Sequence, residues 1–553
     1  MTLLLIWLFR GKAAIYGTND DSLIASIASG QLTGKVDPHL IFIQPILSYP
    51  ITWLEYLLPH FSGYSIFLIF CTTLSFSSVL ALLICDKRAN FINLTIWIIF
   101  NIIFQSWFAI NPTYTGASLF TGGAAAAFIN YGLLQNIDLR DLFRKFIFTY
   151  AALLTILCYG IRKEGLYILA ILIIPTILIH IKRFKDRSQI MKFYLIPIII
   201  LYVFNYLLYS FLYSDEKWDE YMALNDTRHK IQLRAPEKYI ANNLTEIGWN
   251  AETYFMFARF SLIDKGQMNI EKLQKILETT QEFVGPKSIL RMNFSESITI
   301  VKVAFSPWTW ILKIQIIMIL IIGLSKIKDK IFGRYIMFLT LQAVLLLIFI
   351  LVLSTGYQIP ERISLNLLAG LTLSMFAQMS VYNKIKIGKN LITTLSSLIL
   401  IMIFIYLTLT RLSVETKARE GMYLTRQVYA NQQINSLSKL KNQTVISFGS
   451  GLKTDWRFPY SKWKSFDPRD KTITLGWLNL SPISQEQFKM RNLNLANFPK
   501  GVINNEIYWV DSPEEISISR DYFQQFTEEN LVFADEGIIG NDEYQFYRFF
   551  TIE

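Results

Sequence analysis

Residues 19–58 read NDDSLIASIASGQLTGKVDPHLIFIQPILSYPITWLEYLL. An acidic pair, Asp20 and Asp21, stands at the head of a short helical run, SLIASIAS. Gly30, Gly34 and Pro38 then make a turn-rich reach into a second apolar run. That run, 39–58, has the length to cross a bilayer, yet it carries Pro45, Pro50 and Glu55. Whether it crosses or lies along the surface sets the side of the membrane on which every later loop falls.

A membrane is implied by composition. Of 553 residues, 52% are hydrophobic, 15% aromatic and only 17% charged, with a mean hydropathy of +0.34. A soluble globular chain carries roughly 25% charge. Disordered, collagenous and coiled-coil classes are excluded by the same figures. Cys71, Cys85 and Cys158 all sit in apolar runs, so no disulfide framework is implied. His39, His60, His180 and His229 have no metal-ligand spacing.

Runs long enough to span, about 20 residues each, occur at 64–85, 91–109, 113–135, 145–161, 165–183, 192–213, 308–324, 331–353, 361–382 and 390–411. The run from Met1 to Tyr16 is interrupted by Arg10, Gly11 and Lys12 and has no convincing cleavage site. It is read as a first helix, short by nature or because residues precede it. Read as one helix, 145–183 would bury Arg162, Lys163 and Glu164 at a cost of about 8–10 kcal/mol. Two helices with a tight turn at the charges are expected instead.

Orientation follows from the basic residues. If 39–58 lies on the surface, one set of loops holds 17 of them, from Lys87 and Arg88 through Arg183 and Arg334 to Lys389. The short loops opposite hold only Arg162, Lys163 and Arg362. The positive-inside rule makes the first set cytoplasmic. The net charge of +11 therefore reports orientation, and nucleic acid is not an expected partner. If 39–58 crossed, the N-terminus would lie outside. The expectation is a mainly α, polytopic plasma-membrane protein with eleven spans and a cytoplasmic N-terminus. Loops 17–63 and 214–306 and the tail 412–553 lie outside the cytoplasm.

Loop 214–306 is too long for a passive connection and reads as helical, with Trp218, Tyr221 and Leu224 at three-residue spacing. The tail is polar and helical over 412–440. It then turns to short β-rich runs, TVISFGS, NEIYWV, NLVFADEG and YQFYRFFTI. Two units are expected, 1–411 in the membrane and 412–553 as a small outer α/β domain.

Several residues on the outer side carry chemistry. Adjacent carboxylates at a membrane boundary are costly unless solvated or used. Asp20 and Asp21 fit a solvated helix cap, a general base for an acceptor hydroxyl, or one of each. Arg162, Lys163 and Glu164 fit a simple turn or a phosphate site, since arginine offers a planar fork and lysine a point charge. Arg362 fits a snorkelling residue or a second such anchor. Trp218, Tyr221, Asn225 and Arg228 share a helix face, which suits packing on the spans or contact with a sugar ring and its acid groups.

The pieces NDDSLIASIASGQLTGKVDPHLIF (19–42), IRKEG (161–165), WDEYMALNDTR (218–228), IGWNAETYFMF (247–257) with LID (262–264), and PERI (360–363) resemble the class-C integral membrane glycosyltransferases. More closely, they resemble a bacterial group of uncharacterised proteins of that kind. The resemblance implies a bundle of about eleven spans, juxtamembrane helices at 22–29 and 39–58, and an outer C-terminal domain. It implies an inverting enzyme, with a polyprenyl-phosphate sugar as donor and a glycan, lipid or protein of the cell envelope as acceptor. Asp20 or Asp21 would be the base, and Arg162, Lys163 and Arg362 would hold the donor phosphate. Glu164, Asn225, Arg228, Asp264, Trp218, Tyr221 and His39 are further candidates for substrate binding. No resident cofactor is implied, and a divalent metal is left open. The rival readings are a transporter or flippase of lipid-linked sugars and a non-catalytic assembly protein.

Overall fold

A computed structural model describes residues 16, 19–58, 60–85, 97, 101, 104–134, 141–180, 191–234, 244–259, 262–283, 344–345, 370, 373, 444–448, 460, 472–493, 498–504, 507–538 and 545–552. Run 1–16 (apart from Tyr16), Arg362, the helical reading of 412–440 and nearly all of the four runs between 308 and 411 lie outside them.

The acidic pair opens α1 (Asn19–Ala28), with both carboxylates in its first turn. Helix α2 (Pro45–Leu57) begins at the second apolar run's first proline, a residue suited to a helix start because it has no N–H to satisfy. Residues 39–44 precede it and are not helical. Thirteen residues give a helix of about 20 Å, short of a bilayer's hydrocarbon core. Its buried face carries Leu47, Ser48, Ile51, Thr52 and Glu55, while Trp53 and Tyr56 are exposed. That is the pattern of a helix lying in the interface, with aromatic rings at headgroup level.

Five long helices follow: α3 (Gly63–Cys85), α4 (Tyr114–Leu134), α5 (Asp141–Ile161), α6 (Gly165–His180) and α7 (Ile196–Leu212), the last entered through a π-helical turn at Met191–Leu195. Among the described residues, two helical stretches have both the length and the apolarity to cross a membrane, Gly63–Ile84 and Lys192–Leu212. Helix α4 packs against α3, α5 and α6 and is buried from Tyr114 to Gly132. Its small residues, Gly122 to Ala127, let neighbouring backbones come close. Helix α7 is the opposite case. Ile199, Ile200, Val203, Phe204, Leu207 and Phe211 are all exposed, and Asn205 is its one buried residue. An apolar surface so little covered by protein belongs against acyl chains. Asn205 accepts the N–H of Ile46 at 3.1 Å and donates to Gln44 at 3.1 Å, pinning α7 to the entry of α2.

The long loop and the tail share a second core. Helices α8 (Glu216–Arg234), α9 (Ala251–Ala258) and α10 (Ile270–Phe283) come from the long loop. The tail supplies a five-stranded sheet of order β2-β1-β3-β5-β4, comprising β1 (Thr444–Phe448), β2 (Thr472–Leu475), β3 (Ile507–Asp511), β4 (Asn530–Ile538) and β5 (Gln545–Ile552). Strands β1, β2 and β3 are parallel, and β5 runs antiparallel to β3 and β4. Helices α11 (Pro482–Met490), α12 (Phe498–Asn504) and α13 (Ile516–Gln524) complete the tail. Leu224, Trp249, Phe257 and Ile276 from the loop share one hydrophobic cluster with Ile446, Trp509 and Phe523 from the tail. This core thus joins residues on both sides of position 411. Within it Arg259 reaches the buried Asp511 at 3.2 Å and the more exposed Glu515 at 2.8 Å.

Candidate functional site

The acidic pair divides. Asp21 is fully buried, and its Oδ1 accepts the Tyr64 hydroxyl at 2.7 Å and the Tyr114 N–H at 2.8 Å. Tyr114 is the first residue of α4, so Asp21 caps that helix, where a carboxylate meets both free amides and the positive end of the helix dipole. The solvated cap expected for this carboxylate is corrected here: a cap it is, but dry and on another helix. Asp20, one residue earlier, is turned 100° about α1 and is partly exposed.

Facing it is the turn between α5 and α6. Gly165 closes this turn so tightly on α4 that a Cβ there would stand 2.3 Å from the Ser118 hydroxyl and 2.7 Å from the Cys158 sulfur. Arg162 is thereby laid over the Tyr114 ring, its guanidinium carbon 5.2 Å from the centroid, and it donates to the Thr115 hydroxyl. It pairs with the exposed Glu164 at 3.2 Å and lies within electrostatic reach of Asp20. Lys163 beside it is exposed.

His229, a fourth member of this place, comes from the long loop. On α8, it feels the charges of both Asp20 and Arg162. Partial burial pulls its pKa below the ordinary histidine value; Asp226 and Asp20 raise it, and Arg228 and Arg162 lower it further. In an NMR titration its midpoint should therefore lie below about 6.5. Arg162→Ala should move that midpoint up and Asp20→Asn should move it down. A midpoint indifferent to both substitutions would remove His229 from this site.

The remaining candidates hold the surrounding loops. Trp218 is buried and stacks on His39, with ring centroids 4.4 Å apart and planes 10° apart. The ring of His39 also contacts Asp37 at 2.5 Å and the carbonyl of Leu212, at the end of α7, at 2.9 Å. Tyr221 donates to the Trp477 carbonyl at 2.8 Å, and the fully buried Arg228 donates to the same oxygen and to Asn225. Burial lowers the Arg228 pKa to about 10, which leaves it charged at neutral pH. Asp264 lies between α9 and α10 and accepts the Gly266 N–H at 2.8 Å. Among the described residues no group of three or more His, Cys, Asp or Glu side chains is arranged to hold a metal.

Asp20, Arg162, Glu164 and His229 are thus brought to one place, with Tyr114 as floor. Loop Gly476–Leu480 of the tail forms its margin, with the Trp477 ring 4.7 Å from Phe42 and Phe42 stacked on Tyr114 at 5.9 Å. A partly exposed carboxylate beside a fixed guanidinium can accept a proton while a departing anion is neutralised.

No family model matches the chain, and no curated protein matches it. Among solved structures the chain is similar to ArnT from Cupriavidus metallidurans bound to undecaprenyl phosphate, with 10% identity over 99% of this chain and 96% of that one, at a TM-score of 0.41. It is also similar to ArnT from the same organism in the apo state, with 11% identity over 99% and 96%, at a TM-score of 0.37.

Proposed function

We propose that the chain is an integral membrane glycosyltransferase that moves a sugar from a polyprenyl-phosphate donor to an acceptor outside the cytoplasm. The observation that carries this reading is the division of the acidic pair: Asp21 is consumed in holding α4, while Asp20 stays partly exposed within reach of Arg162.

With Asp21 held at the start of α4 and Asp20 partly exposed near Arg162, direct displacement is the chemistry that fits. The acceptor oxygen attacks the anomeric carbon and passes its proton to Asp20. The bond from that carbon to the phosphate oxygen breaks, and polyprenyl phosphate leaves with the electron pair. Attack opposite the leaving group inverts the anomeric centre. Arg162, fixed by Tyr114 and Thr115, neutralises the departing phosphate. Lys163 and Arg362 add positive charge on the same side. Trp218, Tyr221, Asn225, Arg228 and His39 serve the substrate through the loops they hold in place. The acceptor belongs to the cell envelope, as a glycan, lipid or protein.

The test is turnover in nanodiscs with a panel of polyprenyl-phosphate sugars. The wild type should release polyprenyl phosphate from at least one donor. Arg162→Ala should weaken binding of polyprenyl phosphate about 10- to 100-fold, the value of a charge-assisted contact. Lys163→Ala, at an exposed position, should change it by less than about fivefold. Binding of sugar-bearing lipids without turnover would shift the reading to a transporter of such lipids.

A further inference from the structure

The Trp477–Phe42–Tyr114 row has features that packing alone does not account for. Two of its members, Phe42 and Trp477, lie in segments that hold a residue in left-handed backbone. Ile41, next to Phe42, has φ of 47°, and Leu480, in the loop of Trp477, has φ of 68°. For a β-branched residue this conformation is a true outlier, and a non-glycine held there costs on the order of 1–3 kcal/mol. Two strained residues flank one aromatic contact, one on each side.

The loop that presents Trp477 is braced rather than loose. Gly476 donates to Asn479 at 3.0 Å, Asn479 returns an N–H to the Gly476 carbonyl at 3.1 Å, and Ser481 caps α11 by accepting from Ser484 at 3.1 Å. Tyr221 and Arg228 grip the Trp477 carbonyl from the other side. The indole ring itself is only partly buried, yet its Nε1–H is shut off from solvent and has no hydrogen-bond partner among the described residues. A buried donor left unpaired is costly and rare in folded proteins. The partly exposed ring suits a pyranose, whose C–H face stacks on an aromatic surface. From Trp477 the row runs through Phe42 to Tyr114, on which Arg162 lies.

We infer that Trp477, carried by the C-terminal domain, and Phe42, carried by the loop before α2, form the platform for the donor's sugar ring, next to the phosphate anchor at Arg162. This rests on the transferase reading above. The C-terminal domain thereby contributes a substrate-contact residue, and the platform sets which sugar is accepted.

The experiment compares two probes on the full chain in nanodiscs, bare polyprenyl phosphate and polyprenyl-phosphate hexose. Trp477→Leu keeps apolar bulk and removes the ring and the N–H; Phe42→Leu is the second variant, and thermal unfolding checks that each is folded. Each variant should weaken the sugar-bearing lipid about tenfold, the value of one aromatic contact. Binding of the bare lipid phosphate should stay within about twofold of wild type, because Arg162 is untouched. Trp477→Phe, which keeps a smaller ring, should fall between. Equal weakening of both probes, or of neither, overturns the platform while leaving wild-type turnover intact. A wild type that binds neither probe overturns the transferase reading and the platform with it.

Discussion

Asparagine at position 20 should leave the protein folded and inserted while lowering sugar transfer by about 10²–10⁴-fold, the usual value of a positioned general base. The substitution keeps the size of the side chain and removes only its capacity to take a proton. Asp21→Asn should behave differently. Its oxygen is buried and receives the Tyr64 hydroxyl and the Tyr114 N–H. Weakening charge-assisted contacts at a helix start costs on the order of 1–3 kcal/mol. That loss should be read as a lower unfolding temperature in detergent, with donor turnover per folded molecule less affected. Full activity in Asp20→Asn, with insertion confirmed, would end the assignment of the base.

The second large effect is expected far from the chemistry. Arg259→Met should destabilise the core shared by the loop and the tail by about 3–5 kcal/mol, because it leaves the buried Asp511 carboxylate without its cation. Burial already holds the Asp511 pKa above the ordinary carboxylate value, and Arg259 is the strongest of the influences opposing that rise. With the arginine gone, the folded-state pKa climbs further. A carboxyl whose folded pKa exceeds its unfolded one binds more protons when folded, so its contribution to stability is present at low pH and lost as pH rises through the folded pKa. The Arg259→Met defect should therefore shrink on acidification from neutral pH. The double variant with Asp511→Asn should recover most of the loss. Chemical unfolding followed by tryptophan fluorescence reads both. A defect that is constant with pH would mean that Asp511 is not the group responsible.

Local pattern carried much of the architecture. The break at Arg162–Glu164 follows from the cost of three charges in a bilayer, and α5 ends at Ile161 while α6 begins at Gly165. Strands β1, β3, β4 and β5 correspond to the runs TVISFGS, NEIYWV, NLVFADEG and YQFYRFFTI, whereas β2 had no such signal. Its four residues, TITL, are too few to stand out. The acidic pair was legible, but its division was not, because the partners of Asp21 lie 43 and 93 positions away. Spacing along α8 marked Trp218, Tyr221, Asn225 and Arg228 as one face without naming what that face meets. The answer, Trp477, lies about 250 residues further on. His229 gave no signal for the same reason: the charges that matter to it, Asp20 and Arg162, come from other elements.

The tail touches the membrane part at points that come late in the chain. Tyr460 donates to the Ala109 carbonyl at 2.6 Å, and its own carbonyl accepts from Ser62 at 3.2 Å; Trp477 then meets Phe42. During biosynthesis the residues of the acidic pair and the basic turn are made hundreds of codons before these partners exist. Until Trp477 is made, Asp20 and Arg162 stand together without the Gly476–Leu480 margin. The margin of the site is therefore complete only once most of the chain has been made.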